Sequence, residues 1–507
     1  MQRVLQLLGL SGLLVTGLVS TRAFAQEPAE TEQQAAEQPK AEQAEPAPAP
    51  TAAPETTATV AAAVAPVVAP SARPKVGDIT THGYLRAGFG ATVNEKGRQT
   101  CFGLASINGS LKSKYRLGNE CEQWGELLIS TVIYSGDDGV VGNFHFMPVV
   151  FIPTTYIGYS PSMTTSAQDQ QGQYSSGATV AFPNLYADLK GISWLFGGTA
   201  WGGSRYYKRE AVYISDFFYW NPSGIGLGIE DAFRLGKIMD AAPEAVKDLS
   251  FSYGAFAMDG QPNNNPYLPQ RYALGIRHDL QVRGFRPYES GELQLGFQYI
   301  QNWSSDTNDE GNPATTSGGW GVTIRHVQQL LGGDNKLTFQ YGRGGGTGFG
   351  TLARFYYPDF SLNQETSESR WRVVDVLTIQ PWESFGGQGA VVFQRDNLNS
   401  PSAGDWLSAG VRVSWAPFDH FKLLGEVGND SVTPKNNSGT RSLTKYTGAV
   451  AFASASGFWS RPELRLYITW ANWNEKARTA HIDSFDLYLN TNKLSGAIAG
   501  VQAEAMW

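Results

Sequence analysis

The chain lacks the features that would make it a helical membrane protein, a metalloprotein or a nucleic-acid binder. Beyond its N-terminal 25 residues no stretch reaches the roughly 18 apolar residues a spanning helix requires, and the Val/Ala-rich run from Val60 to Ala69 is cut by Pro66 and bracketed by Pro54 and Pro70. Histidine is scarce, at 6, and no two histidines share a metal-ligand spacing. Two cysteines are too few for a structural zinc site, so neither a metal nor a cofactor is expected. A basic excess is missing too: 39 Lys and Arg stand against 46 Asp and Glu, a formal net charge of −7, which excludes nucleic acid as an expected partner. There is no G-x-S-x-G elbow. Gly224-Ile225-Gly226-Leu227-Gly228-Ile229 begins like a dinucleotide fingerprint, but it ends on Ile without a strand-to-helix context and reads as a flexible loop. No enzyme is expected.

What is abundant points elsewhere. Fifty-seven Gly, 14 Trp, 22 Tyr and 26 Phe are what many turns and two aromatic girdles demand. Residues 1–25 carry Arg3, an apolar stretch from Val4 to Val19 and the small-x-small site Ala23-Phe24-Ala25, and so read as a signal peptide. Residues 26–75, built from Ala, Pro, Glu, Gln and Thr, cannot bury enough to order themselves and read as a disordered periplasmic tether, available for periplasmic contact. In an exported chain Cys101 and Cys121 are expected to form a disulfide, whose loop constrains the unfolded chain by on the order of 3 kcal/mol.

From Val76 to Trp507 a period of two recurs. Leu293, Leu295, Phe297 and Tyr299 alternate with Glu292, Gln294, Gly296 and Gln298; Leu464, Leu466, Ile468 and Trp470 alternate with Glu463, Arg465, Tyr467 and Thr469. One face is apolar and the other hydrophilic, as the wall of a water-filled barrel requires. The chain ends Val501-Gln502-Ala503-Glu504-Ala505-Met506-Trp507, the pattern of a closing strand with Gln502, Glu504 and Met506 inside and Trp507 at the membrane interface. Residues 76–507 therefore read as an all-β, antiparallel transmembrane barrel of the outer membrane, with about 17 to 22 strands at roughly 20 to 25 residues per strand. Stretches 160–177, 260–270, 302–319 and 430–442 read as outer loops, and 332–335 and 416–419 as periplasmic turns.

Parity then assigns faces. With Leu85, Ala87 and Phe89 outward, His82, Tyr84 and Arg86 point inward; with Leu127 and Ile129 outward, Arg116, Trp124, Glu126 and Ser130 share the inner parity; Arg465, Tyr467 and Trp473 follow near the C-terminus. Aromatic faces beside charges suit a sugar: the rings stack on C–H faces while Arg and Glu exchange hydrogen bonds with hydroxyls.

The blocks His82-Gly83-Tyr84-Leu85-Arg86, Ser113 to Glu122 (SKYRLGNECE), Arg205-Tyr206-Tyr207-Lys208-Arg209, Asp216 to Trp220, Trp459-Ser460-Arg461-Pro462 and Trp473-Asn474-Glu475-Lys476 carry a resemblance to the maltoporin family of carbohydrate-selective outer-membrane channels. The resemblance implies 18 strands, a third loop folded into the lumen, a homotrimer and passive diffusion of maltooligosaccharides or related sugars. It implies an aromatic slide at Tyr84, Trp124, Trp406 and Trp473, a polar track at Arg86, Arg116, Glu126, Arg209 and Asp216, and the pairing of Cys101 with Cys121. The chain departs from the family at the constriction. There Ala211, Tyr213 and Phe218 replace an acidic residue, a histidine and a tyrosine, Val322 replaces a slide phenylalanine, and the arginine ahead of Asn184 is missing. Tyr156, Tyr159 and Tyr174 are candidates for a slide aromatic donated by a neighbouring subunit. The altered constriction implies a different or smaller saccharide; the alternative is a general or anion-leaning porin using Arg86, Arg116 and Arg209.

Overall fold

A computed structural model describes residues 73–93, 101–104, 115–153, 179–259, 274–302, 318–349, 367–397, 403–436, 438–479 and 493–507. Alternating side chains become strand, one face turned to each solvent. Among the described residues the order is β1 (Ile79–Thr92), β2 (Glu122–Ser135), β3 (Val141–Pro153), β4 (Thr179–Ile192), β5 (Gly198–Arg205), β6 (Glu210–Val212), β7 (Phe217–Trp220), β8 (Gly224–Ala232), β9 (Ser250–Asp259) and β10 (Leu274–Tyr288). The second half continues with β11 (Gly291–Asn302), β12 (Gly319–Leu330), β13 (Gly333–Gly344), β14 (Ser369–Trp382), β15 (Phe385–Asn397), β16 (Gly404–Phe418), β17 (Phe421–Pro434), β18 (Arg441–Ala453), β19 (Glu463–Trp473) and β20 (Ser495–Met506).

Eighteen of these form one sheet, each strand antiparallel to its neighbours. The sheet closes where β1 pairs with β20, from Tyr84 opposite Met506 to Thr92 opposite Ile498, and Trp507 exchanges backbone hydrogen bonds with Gly83 at 3.0 and 3.1 Å. Closure leaves no strand edge, which a bilayer demands because it offers backbone groups no other partner. Short turns lie at one end of the barrel, together with the longer connection 233–249 from β8 to β9. At one of the short turns Leu331 and Gly332 both adopt positive φ, 52° and 71°, as a two-residue hairpin turn needs. The predicted parity holds on both faces: Leu464, Leu466, Ile468 and Trp470 are exposed to the lipid side, while Arg465, Tyr467, Thr469, Gln502 and Glu504 are buried inside.

β6 and β7 stand apart as a small hairpin in the connection from β5 to β8, the third long one, and this hairpin lies inside the barrel. The Ile214 N–H donates to Gln388 Oε1 on β15 at 3.1 Å, and Phe217 meets Trp406 on β16 edge-on at 5.0 Å.

Four readings change. Gly224 to Ile229 is barrel strand β8, paired with β5 and β9, rather than a loop. Its Ile225 and Leu227 face lipid, and at Gly226 and Gly228 a Cβ would come within 2.1 and 2.2 Å of carbonyl oxygens on β9, so glycine is needed for the backbones to approach. The stretch 430–442 is mostly strand, because Asp430, Ser431 and Val432 pair with Leu443, Ser442 and Arg441 and leave only 435–440 as a connection. Val322 sits opposite Phe297 and Tyr341, on the lipid face of β12, so it is no counterpart of a lumen aromatic. Arg116 reaches the lumen, but from the first connection rather than from β2. Residues 160–177 and 260–270, most of 302–319, the N-terminal segments through residue 72, and Tyr156, Tyr159 and Tyr174 lie outside the described residues.

Candidate functional site

Two connections from the long-loop end fill much of the lumen. The first is tied by the Cys101–Cys121 disulfide, with Cα atoms 5.7 Å apart. Asn119 clamps Phe102 beside it, accepting from the Phe102 N–H and donating to its carbonyl, both at 2.8 Å. From there the segment 115–120 crosses to the wall formed by β16–β19. Tyr115 lies flat on Gly410 and Gly428, where a Cβ would come within 2.2 and 2.1 Å of its ring, and its hydroxyl meets Ser408 Oγ at 2.9 Å. The Leu117 N–H donates to Glu426 Oε1 at 3.0 Å, and Thr447 and Thr469 hold the Leu117 and Gly118 carbonyls.

Charges of both signs meet between this segment, the hairpin and β1–β2. Arg86 bonds Glu120 at 3.0 Å and Glu122 at 2.5 Å. Arg116 donates to Glu120 Oε1 at 2.6 Å and to the Tyr84 hydroxyl at 2.5 Å, with Glu504 3.6 Å away. Burial alone would depress the Arg116 guanidinium; Tyr84, Glu120 and Asp216 around it hold its pKa well above the ordinary value. The carboxylates of Glu120, Glu122 and Asp216 lie within 4.8 Å of one another. Arg209 is sandwiched between Tyr206 at 3.4 Å and Phe218 at 5.0 Å, and it interacts with Glu126 and Asp216.

Glu504 is where most of these contacts converge. Its carboxylate accepts from the Tyr84 hydroxyl at 2.8 Å, from the Tyr213 hydroxyl at 2.8 and 2.9 Å, from Arg461 Nε at 2.9 Å, and from Arg465. The alternation of the last strand placed Glu504 inside, but nothing in sequence spacing announced its partners.

The sequence-predicted aromatics divide. Tyr84 and Trp124 are half-buried on the inner wall, Trp124 directly opposite Arg86 and edge-on to Phe151 at 6.2 Å. Trp406 is 2% exposed, under Phe217 and donating to Asp430 Oδ1 at 2.9 Å, and Trp473 is 7% exposed against Phe102 at 5.9 Å. The inward face of β2 and the hairpin residues Asp216, Phe217 and Phe218 are half-exposed, whereas inner side chains such as Lys422, Lys445, Thr469 and Gln340 on the far wall are buried. The inner side chains that stay partly exposed thus include those of β2 and of the hairpin. Sequence reading missed Phe151 because β3, with Val and Phe on both faces, alternates too weakly to assign.

On the same wall Ser130 Oγ meets His145 Nδ1 at 2.7 Å, and His145 Nε2 meets Asp188 Oδ2 at 3.1 Å, a side-chain chain that sequence reading did not find. Asp188 also accepts from Asn143 at 2.7 Å and Tyr186 stacks on His145 at 4.3 Å, so the group ties β2, β3 and β4 together.

The sequence profile of the family described as LamB porin matches residues 79–507. The chain belongs to the LamB porin family. As a LamB porin it is an outer-membrane channel and not an enzyme. Among solved structures it is similar to Acinetobacter baumannii OccAB1, at 10% identity over 86% of this chain and 97% of that one, with a TM-score of 0.46. It is also similar to a BenF-like porin from Pseudomonas fluorescens Pf-5, at 10% identity over 85% and 100%, TM-score 0.45. A third is Wzi, an outer-membrane carbohydrate-binding β-barrel involved in group 1 capsule assembly in Escherichia coli, at 12% identity over 84% of each chain, TM-score 0.38. In this LamB porin the inward third loop, the disulfide-tied first loop and the carboxylate of the last strand meet inside the barrel.

Proposed function

We propose that this LamB porin carries saccharides by passive, saturable diffusion. In this reading sugar rings stack on Tyr84 and Trp124 while their hydroxyls exchange hydrogen bonds with Arg86, Arg116, Glu126, Arg209 and Asp216. The supporting observation is one juxtaposition: half-exposed Trp124, with Glu122 and Glu126 two residues to either side on the same face and Arg86 directly across. An aromatic face edged by charged donors and acceptors matches a sugar, whose ring has an apolar face and a rim of hydroxyls. Each stack contributes about 1 kcal/mol, enough to select and weak enough to release.

Trp406 and Trp473, covered by Phe217 and Phe102, back this slide from the opposite wall in this proposal rather than meeting the sugar directly. With Tyr213 turned toward Glu504 and Arg461, and Ala211 where the family carries an acid, fewer groups remain to orient a long α-glucan, and a smaller or different saccharide fits better. Three copies assemble in this reading, residues 1–25 direct export, and residues 26–75 serve as a periplasmic tether and contact.

Ion current through the reconstituted channel in planar bilayers tests it: a panel of di- and oligosaccharides is expected to include one that blocks in a saturating manner. Absence of block by every sugar would refute the proposal and leave an ion-conducting porin. Reversal potentials in a salt gradient then separate that alternative. The carboxylates of Glu120, Glu122, Glu126 and Asp216 offset Arg86, Arg116 and Arg209, so strong anion preference is not expected.

A further inference from the structure

Residues 454–462 join β18 to β19 at the short-turn, periplasmic end, where a connection ordinarily stays in water. This one does not. Phe458 is 4% exposed, Trp459 packs on the buried core of the lumen, and the Arg461 side chain is 4% exposed. The turn is pinned from three strands: the Phe458 N–H donates to Gln380 Oε1 on β14 at 2.8 Å, Lys422 Nζ on β17 donates to the Gly457 carbonyl at 2.6 Å, and Arg461 bonds Glu504 on β20. What it meets inside is the tip of the third loop. Trp459 stands edge-on to Tyr213 at 4.7 Å, and Arg461 Nη2 donates at 2.7 Å to the Tyr213 hydroxyl, which itself donates to Glu504.

We propose that this periplasmic turn is the inner half of the channel's constriction, and that Arg461 is a positioning residue that holds Tyr213, and with it the third loop, across the lumen. A loop entering from outside has its tip far from its anchors, and a hydrophobic ring contact alone is non-directional. The Arg461–Tyr213–Glu504 chain supplies direction, because the hydroxyl is fixed by a cationic donor on one side and an anionic acceptor on the other, each stronger than a neutral bond. The bore is then set jointly from both membrane faces. This inference concerns bore and conductance and stands whether or not a sugar binds.

Two variants test it in planar bilayers, with heat-modifiable gel mobility as the check on folding. Tyr213→Phe keeps the ring and its Trp459 contact but removes the hydroxyl, and is expected to raise single-channel conductance by about two-fold with added open-channel noise. Ser460→Cys introduces the only free thiol into a chain whose two cysteines are paired. A bulky cationic methanethiosulfonate added from the periplasmic side is expected to cut its current by at least about half, reversibly with reductant. Unchanged conductance in Tyr213→Phe together with unchanged current on thiol modification, in folded channels, would overturn the proposal. If sugar block persists while these readouts fail, the turn is excluded and the transport reading survives.

Discussion

The two sides of the lumen are built from the same alphabet and behave differently. On β1–β2 the inward residues Tyr84, Glu122, Trp124, Glu126 and Ser130 are half-exposed, with Arg86 and Thr92 buried among them; on β16–β20 the inward residues Trp406, Arg412, Lys422, Glu426, Lys445, Arg465 and Glu504 are all buried beneath two loops and a turn. Both walls alternate with the same period, so the difference lies in what covers them. A charged wall facing water needs no partners. Once covered, a charge must find one: Arg412 and Lys445 share Glu426, Lys422 meets Glu463, Arg461, Arg465 and Arg116 surround Glu504, and Asp430 accepts from the Trp406 indole. In the proposed transport reading the open wall meets the solute and the covered wall supports it.

That contrast breaks most sharply at Glu504. Glu504→Ala leaves Arg461 and Arg465 with Glu463 as the one anion they still share, and is expected to cost about 3 kcal/mol in urea unfolding of the folded barrel, since a buried ion cluster is then one negative charge short. A cost below about 1 kcal/mol would mean that water reaches this wall.

Trp406→Ala is expected to destabilise by about 3 kcal/mol, as a buried tryptophan against Phe217 and Asp430 should. With Phe217 over it, the sugar-block constant is expected to change less than about two-fold. Gly428→Val places branched carbon where the Tyr115 ring lies and is expected to cost about 1 to 3 kcal/mol and to raise conductance as the first loop lifts. Trp124→Ala, the counterpart on the open wall, is expected to leave unfolding within about 1 kcal/mol of the parent yet weaken sugar block about five-fold, the equivalent of one lost stack. Equal effects of Trp124→Ala and Trp406→Ala on sugar block would erase the distinction between the walls.

How much of this was legible follows from period and range. Leu464 to Trp470 declare their faces because a strand's side-chain repeat is two, and a one-residue error would move the whole set into the wrong solvent. The same rule failed at Gly224 to Ile229, where glycine supplies no second face to read; at Val322 the family correspondence pointed inward, and the strand register corrects it. Cys101 and Cys121 were readable from an exported chain with two cysteines. Tyr115 was not, because the requirement for Gly410 and Gly428 beneath it lies about 300 residues downstream.

From sequence alone came the barrel, its closing strand and the inward set that includes Tyr84, Arg86, Trp124, Glu126, Arg465 and Glu504, since each follows from local alternation and the need to part oil from water. Tertiary structure alone decided which inward residues remain open to a passing solute. That depends on where segments 115–120, 210–220 and 454–462 fold within the cylinder, through contacts such as Tyr115 on Gly428 and Tyr213 on Glu504 that join residues hundreds of positions apart. Periodicity is a property of neighbours along the chain, whereas occlusion is a property of neighbours in space.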